Sequence, residues 1–357
     1  MKKLLSVLLA LAMTCTLAAC QSPAPASSSA AEQPAVDSAP SSEAPGSSAE
    51  APDGAVITLK LGNQQASSHS SVQAFHRFKE SVEEASGGRI QCEIYSDALL
   101  GDENAMQEMM TMGTLDMMYS GNLPSYIPLL GALELPYLYE DREHILAFYE
   151  SDAFKELMKP LEAHNMTVIA AFENGFRQIT NDKKPINSAA DLQGMLFRTA
   201  ATPGEIYAFE AAGAIATTIT YTELYSALQQ GIVDGQENPI QNIYNAKFYE
   251  VQDHLAVTNH IYNSGFIVIR KDLYDTMPED LKEIVNTCIT EAQDWQIQYV
   301  ADNDSKMLAE IEAYGVAITY PDLAEMEEAM SGAYEMMYAE YGDEARDLVE
   351  AIRAAKP

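Results

Sequence analysis

Arg198 closes the apolar run Met195-Leu196-Phe197 on what reads as a short buried strand from Met195 to Thr199, so a permanent positive charge is aimed into the fold. A guanidinium so placed has two uses. Its planar fork can donate two parallel hydrogen bonds to a carboxylate, or it can form a structural ion pair with one of the chain's own acids. Asn238, followed by Pro239, carries a different local signal. It reads as a helix N-cap with proline at the first helical position, and a helix N-terminus is a favourable place for an anion.

Enzyme chemistry has no comparable support. The chain has no GxSxG, HExxH, CxxC or Walker-type glycine run, and its acids stand at no motif-like position. No catalytic role and no cofactor are expected, and no ligand cluster supports a metal.

Net charge sharpens that expectation. With 53 acidic against 21 basic residues the chain carries −32, which argues against nucleic acid and against adhesion to an anionic membrane through a basic patch. An anionic ligand must be held by a few buried cations against this field, which makes single arginines informative.

The N-terminus begins with Lys2 and Lys3, continues with an apolar stretch from Leu4 to Met13, and ends in small residues before Cys20, the layout of a secretory leader. Leu17-Ala18-Ala19-Cys20 resembles a bacterial lipobox, which implies cleavage before Cys20 and lipidation of its thiol. From Gln21 to Pro52 the chain is mostly Ser, Ala, Pro and Glu, a composition that buries no core and reads as a disordered tether averaging roughly 30 Å end to end. Cys92 and Cys288 lie in apolar patterns and are expected to be buried free thiols.

The elements that must position Arg198 and Asn238 follow. "AVITLKLG" alternates as a strand, "SSVQAFHRFKESVEEASGG" reads as a helix stopped by Gly87-Gly88, and strand, helix and strand follow in "RIQCEIY", "DENAMQEMMTMG" and "TLDMMYS". The alternation returns after Asn165. It predicts an α/β protein of two lobes with largely parallel sheets, joined by more than one crossing segment, with the ligand in the cleft between lobes. From Pro278 an apolar face recurs at helical spacing with no breaker before Gly315, predicting a helix of about 55 Å that either spans both lobes or kinks near "ADNDSK".

"SDALLGDENAMQEMMTMGTLDMMYSGNLPSYIP", "NGFRQITNDKKPINSAADLQGMLFRTA" and, most specifically, "ALQQGIVDGQENP" resemble the solute-binding proteins of tripartite ATP-independent periplasmic (TRAP) transporters of the DctP type, over about Val56 to Pro357. The resemblance implies two α/β lobes, a cleft, a long helix across both, and capture of a small organic acid for delivery to integral-membrane transporter subunits. It implies a ligand-carboxylate grip by Arg198, with Arg177 as second cation and Asn238 as third partner. Tyr221 and Tyr119 would offer aromatic contacts, and Gln64, Asn122, Asn174 and His260 polar ones. Packing, capping and ion-pair roles compete at each of these positions.

The expected partition is a leader over 1–19, a lipidated cysteine and tether over 20–54, a first lobe from 55–174 and 264–303, and a second from 175–263 and 304–357. Family members that bind sialic acid carry an acid and an arginine in the loop reading "SGNLP" here, where Gly121 and Pro124 stand. A dicarboxylate, keto acid or sugar acid is expected instead, without a ranking among them. The rival reading is an anchored ligand-sensing domain that signals to a receptor.

Overall fold

The computed structural model describes residues 56–355. The leader, Cys20 and the tether lie outside the described residues.

Ten strands make one mixed sheet. They are β1 (Ile57–Gly62), β2 (Ile90–Tyr95), β3 (Met117–Ser120), β4 (Met166–Asn181), β5 (Leu196–Thr199), β6 (Ile215–Thr218), β7 (Gly235–Pro239), β8 (His254–Ala256), β9 (Tyr262–Arg270) and β10 (Ala317–Thr319). The main path runs β2-β1-β3-β9-β4-β7-β5-β6, with β8 and β10 branching from β4. β4, which contains both "MTVIAAF" and "FRQITN", is a single strand of 16 residues.

The sheet is less parallel than the alternating pattern predicts. The outer pairs β1–β2, β1–β3, β5–β6 and β5–β7 are parallel. The central strands β4 and β9 are antiparallel to each other and to their neighbours β7 and β3. Long strands that run from one half of the sheet into the other need no crossover helix, so nothing in the helical pattern reports their direction.

β4 pairs with β9 from Met166 to Phe176 and with β7 from Arg177 onward. Its register shifts between Val168 and Ala170, and again between Glu173 and Gly175, whose φ is +115°. Such irregularities free backbone groups from the ladder, and those groups need partners. The long helix Glu279–Tyr314 supplies them. Gln293 Oε1 accepts from Ala171 N at 2.8 Å, Gln296 Oε1 accepts from Glu173 N at 2.8 Å, and Gln296 Nε2 donates to Glu173 O at 2.7 Å.

This helix is continuous over 36 residues, about 54 Å at 1.5 Å per residue, with no kink at "ADNDSK". Gly315, at φ +124°, ends it. Leu281, Val285, Ile289 and Ala292 bury its first half against the Ser70–Ala85 helix and β4. Cys92 and Cys288 are free, buried and part of the same core. Burial pushes the Cys92 thiol up to about 12, which leaves it inert.

A second core joins the 128–134 turn, helix Pro203–Ala211 and the C-terminal helix Gly332–Ala354. The described residues belong to one compact unit.

Candidate functional site

The handover of β4 from β9 to β7 places its side chains at the edge of a cavity of about 300 Å³. β5 contributes Arg198, β7 contributes Asn238, and β4 contributes Asn174 and Arg177. Opposite them stand Gln64, which follows β1, and Glu103 and Asn104 at the start of helix Glu103–Thr111, with Asn122 in the loop after β3. Tyr221 opens helix Tyr221–Gln229 and lines the cavity with one edge, its ring 5.8 Å from that of Phe248.

Two arginines enter this cavity in different electrostatic states. Arg177 is 3 % exposed and already held. Its Nε and Nη2 form a fork on the Glu237 carboxylate, with Nη2–Oε1 at 2.7 Å, and Nη2 also donates to Glu237 O at 2.8 Å. Glu205 Oε1 lies 3.3 Å from Nε. Burial works against the charge of Arg177, but the two carboxylates more than offset it and keep the guanidinium protonated.

Arg198 is 4 % exposed, and among the described residues it makes no ion pair. Its Nε donates to Ile219 O at 2.8 Å. Burial lowers its pKa from the ordinary arginine value, Glu205 and Glu237 oppose that, and the neighbouring charge of Arg177 adds to it. The structural ion pair that competes with ligand binding in the sequence is thus made by Arg177, while the second guanidinium is left without a carboxylate.

The two acids divide accordingly. Burial would raise Glu237, yet Arg177, together with His260, brings it down to about 2. Glu205 has only the looser contact and is raised well above the usual carboxylate range by burial. Ala200 N donates to its Oε2 at 2.7 Å.

His260 stands behind this pair rather than on the wall. It is fully buried, its Nδ1 is 2.8 Å from Thr258 Oγ1, and its Nε2 is 3.4 Å from Glu237 Oε2. Burial lowers its pKa, which keeps the ring neutral.

Asn238 does not cap a helix. The helix begins at Ile240 with no side-chain cap, because Asn238 still pairs with Gln178 inside β7. Its Nδ2 donates to Gln236 Oε1 at 2.5 Å and its Oδ1 accepts from Asn242 Nδ2 at 3.2 Å. Asn174 donates to Asn263 Oδ1 at 2.6 Å, tying the two crossing strands together at the wall.

Across the cavity Glu103 organises the facing loop. Its Oε2 accepts from Gly121 N at 3.0 Å, Asn122 N at 2.8 Å and Ser120 Oγ at 3.1 Å, and its Oε1 accepts from Gln64 Nε2 at 2.7 Å. Burial pushes its pKa up to about 7 against these donors.

Tyr119 is not on the wall. Its ring packs over Gly265 of β9, where an added Cβ would fall 1.9 Å from the ring, and its hydroxyl is buried without a partner. The cavity thus brings together Gln64, Asn122, Asn174, Arg177, Arg198, Tyr221 and Asn238, and leaves Tyr119 and His260 one layer behind.

Sequence reasoning passed over Glu103, Glu205 and Glu237. In a first helical turn, Glu103 and Glu205 read as ordinary dipole partners. Glu237 alone carried a signal, a charged residue in a short strand whose five positions are all buried. No group of His, Cys, Asp and Glu able to hold a metal occurs among the described residues.

A cavity walled by polar groups and one unpaired guanidinium, with no nucleophile paired to a base, binds a solute. The chain matches the DctP family, bacterial extracellular solute-binding protein family 7, over residues 61–341, and it belongs to that family. It is an extracytoplasmic solute-binding protein, not an enzyme. It is 32 % identical over 290 residues to the sialic acid-binding periplasmic protein SiaP of Vibrio cholerae, covering 80 % of this chain and 90 % of that one. A TRAP periplasmic solute-binding protein from Polaromonas sp. JS666, bound to D-erythronate, superposes with TM-score 0.79 at 29 % identity over 84 % of this chain and 99 % of that one. One from Sulfurospirillum deleyianum with bound succinate gives TM-score 0.79 at 26 % identity, over 85 % and 100 %.

Proposed function

We propose that the protein captures a small organic acid, holds its carboxylate in the fork of Arg198, and delivers it to the integral-membrane subunits of a TRAP transporter. The observation that carries this reading is the buried guanidinium of Arg198, which lines the cavity and has no carboxylate of its own. Asn238 stands beside it as a third partner, and Arg177 supports the grip by fixing Glu237.

Closure is the mechanism. Gln64 and Asn122 belong to the proposed first lobe (55–174 and 264–303), and Arg177, Arg198, Tyr221 and Asn238 to the second (175–263 and 304–357). A ligand touching both walls favours the closed state by its differential contacts. The change-over at Asn174 and Asn263, where β4 shifts register, is the hinge. Scattering should show a more compact particle with ligand; identical profiles at saturation would end the closure idea.

Anchoring by diacylation of Cys20 completes the reading, since two chains hold where one is marginal. Cys20→Ala should lose lipid labelling. A parent protein found wholly soluble, with Cys20 unmodified, contradicts the anchor.

The central test is a thermal-shift screen of the purified full-length protein against organic acids, neutral sugars and amino acids. A ligand at 100 times its Kd stabilises by about 2.7 kcal/mol. Shifts with sugars or amino acids and none with any carboxylate would overturn the proposal.

A further inference from the structure

Resting on that reading, we propose that the ligand is a hydroxylated monocarboxylate, a short sugar acid, with its single carboxylate on Arg198 and its hydroxyls donating to the opposite wall, and that dicarboxylates are disfavoured.

The cations of the cavity decide the number of ligand charges. Arg177 and Arg198 are the only cationic side chains that line it among the described residues. The fork of Arg177 is closed by the charged Glu237, while Glu205, whose charge burial disfavours, lies 3.3 Å from its Nε. One positive charge remains for the ligand. The far wall carries acids instead, Asp102 and Glu103. A second ligand carboxylate would meet the acceptor oxygens of Asp102 and Glu103 there, and such a mismatch suppresses the wrong partner.

The hydrogen-bond inventory points the same way. Gln65, Asn122 and Asn174 line the cavity, and the side-chain oxygen of each is buried and accepts no hydrogen bond from the protein. Gln65 and Asn174 are 3 % and 6 % exposed as whole residues. Buried acceptors need donors, and leaving them unpaired costs binding. A dianionic dicarboxylate such as succinate has only acceptors to offer. A polyhydroxylated acid brings one O–H per carbon along its chain, each able to donate to one of these oxygens while its own oxygen accepts from a neighbouring amide. Glu103 Oε1 takes one hydrogen bond, from Gln64, and keeps capacity for a ligand hydroxyl.

Calorimetric titration of the purified full-length protein with erythronate, galactonate and pantoate, set against succinate and fumarate, tests this directly. At least one hydroxylated monocarboxylate should bind at least tenfold more tightly than either dicarboxylate. Equal or tighter binding of a dicarboxylate overturns the inference and leaves the carboxylate reading of Arg198 intact. Absence of binding by all five, together with a screen that answers only to uncharged solutes, overturns both.

Glu103→Gln exchanges one acceptor for a donor at constant shape, and should weaken the hydroxylated ligand at least tenfold while narrowing its advantage over succinate. Because Glu103 also fixes the 120–122 loop, Asn122→Leu provides the second variant, removing one unpartnered acceptor without that duty. It should weaken the same ligand severalfold and narrow its advantage over propionate, which has no hydroxyl. Parent-like affinity for the hydroxylated acid in both variants would refute the assignment.

Discussion

Arg177 and Arg198 enter one cavity, are buried to nearly the same degree, and have opposite duties. The difference is what surrounds them. Arg177 is flanked by Glu205 and Glu237 and spends its fork inside the protein, whereas Arg198 bonds one carbonyl and keeps a face for a ligand. A buried charge without its partner is costly, so Arg177 contributes to folding, and in the function we propose Arg198 takes its partner from the ligand.

The largest effect should come from Arg177→Met. It strands two buried carboxylates, and breaking a buried pair from one side costs about 3–5 kcal/mol. Chemical denaturation should show that loss without ligand present, and a variant as stable as the parent would erase the distinction between the two arginines.

Next is Arg198→Ala. Removing one member of a desolvated charge pair costs about 2–5 kcal/mol of affinity, roughly 30-fold to several thousand-fold. Ligand-free stability should be close to the parent's, since no carboxylate in the protein loses its partner. Arg198→Lys keeps the charge but not the fork, and should bind with an intermediate loss of about tenfold or more. Lysine binding as tightly as arginine would reduce Arg198 to a long-range charge.

Acids with and without a cation should separate by pH. Glu237, held down to about 2 by Arg177, contributes stability above the ordinary glutamate range that is lost as pH falls toward 2. Glu103, Glu134 and Asp304 are pushed up to about 7 by burial, so the folded state binds their protons more tightly than the unfolded one. Their contribution is fully present below pH ~4 and is lost as pH rises through about 7. The melting temperature of the ligand-free protein should therefore fall between pH ~5 and ~8, and Glu134→Gln should flatten part of that slope.

The smallest effect belongs to Tyr119→Phe. Its hydroxyl is buried without a partner, so deleting it should be neutral or stabilising by up to about 1 kcal/mol. Affinity should be unchanged, and a tenfold loss would put Tyr119 back at the ligand.

The helices and most strands were legible because each buries one face and so leaves a period in the sequence. The Glu279–Tyr314 helix is the clearest case, with its apolar stripe readable from Leu281 to Ala292. The antiparallel course of β4 and β9 was not legible, since strand direction is set by pairing partners far along the chain. In the site, the positions of Arg177 and Arg198 could be read but their division of labour could not. That depended on Glu205 and Glu237, acids whose partners are fixed by tertiary approach rather than by spacing. Asn238 before Pro239 carried a sound capping signal that pairing within β7 overrode.

The unbroken helix of 36 residues has a mechanical meaning. Its glutamines clasp β4 beside the register shift at Glu173, near its own midpoint, so it acts as a leaf spring fastened at the centre. Long helices curve gently at little cost, and a slight flexure at the clamp would be carried into both packed halves, through Leu281 to Ala292 on one side and Ile311 on the other. In the closure we propose, that flexure would give the backbone a restoring force, which the ligand's contacts would have to overcome.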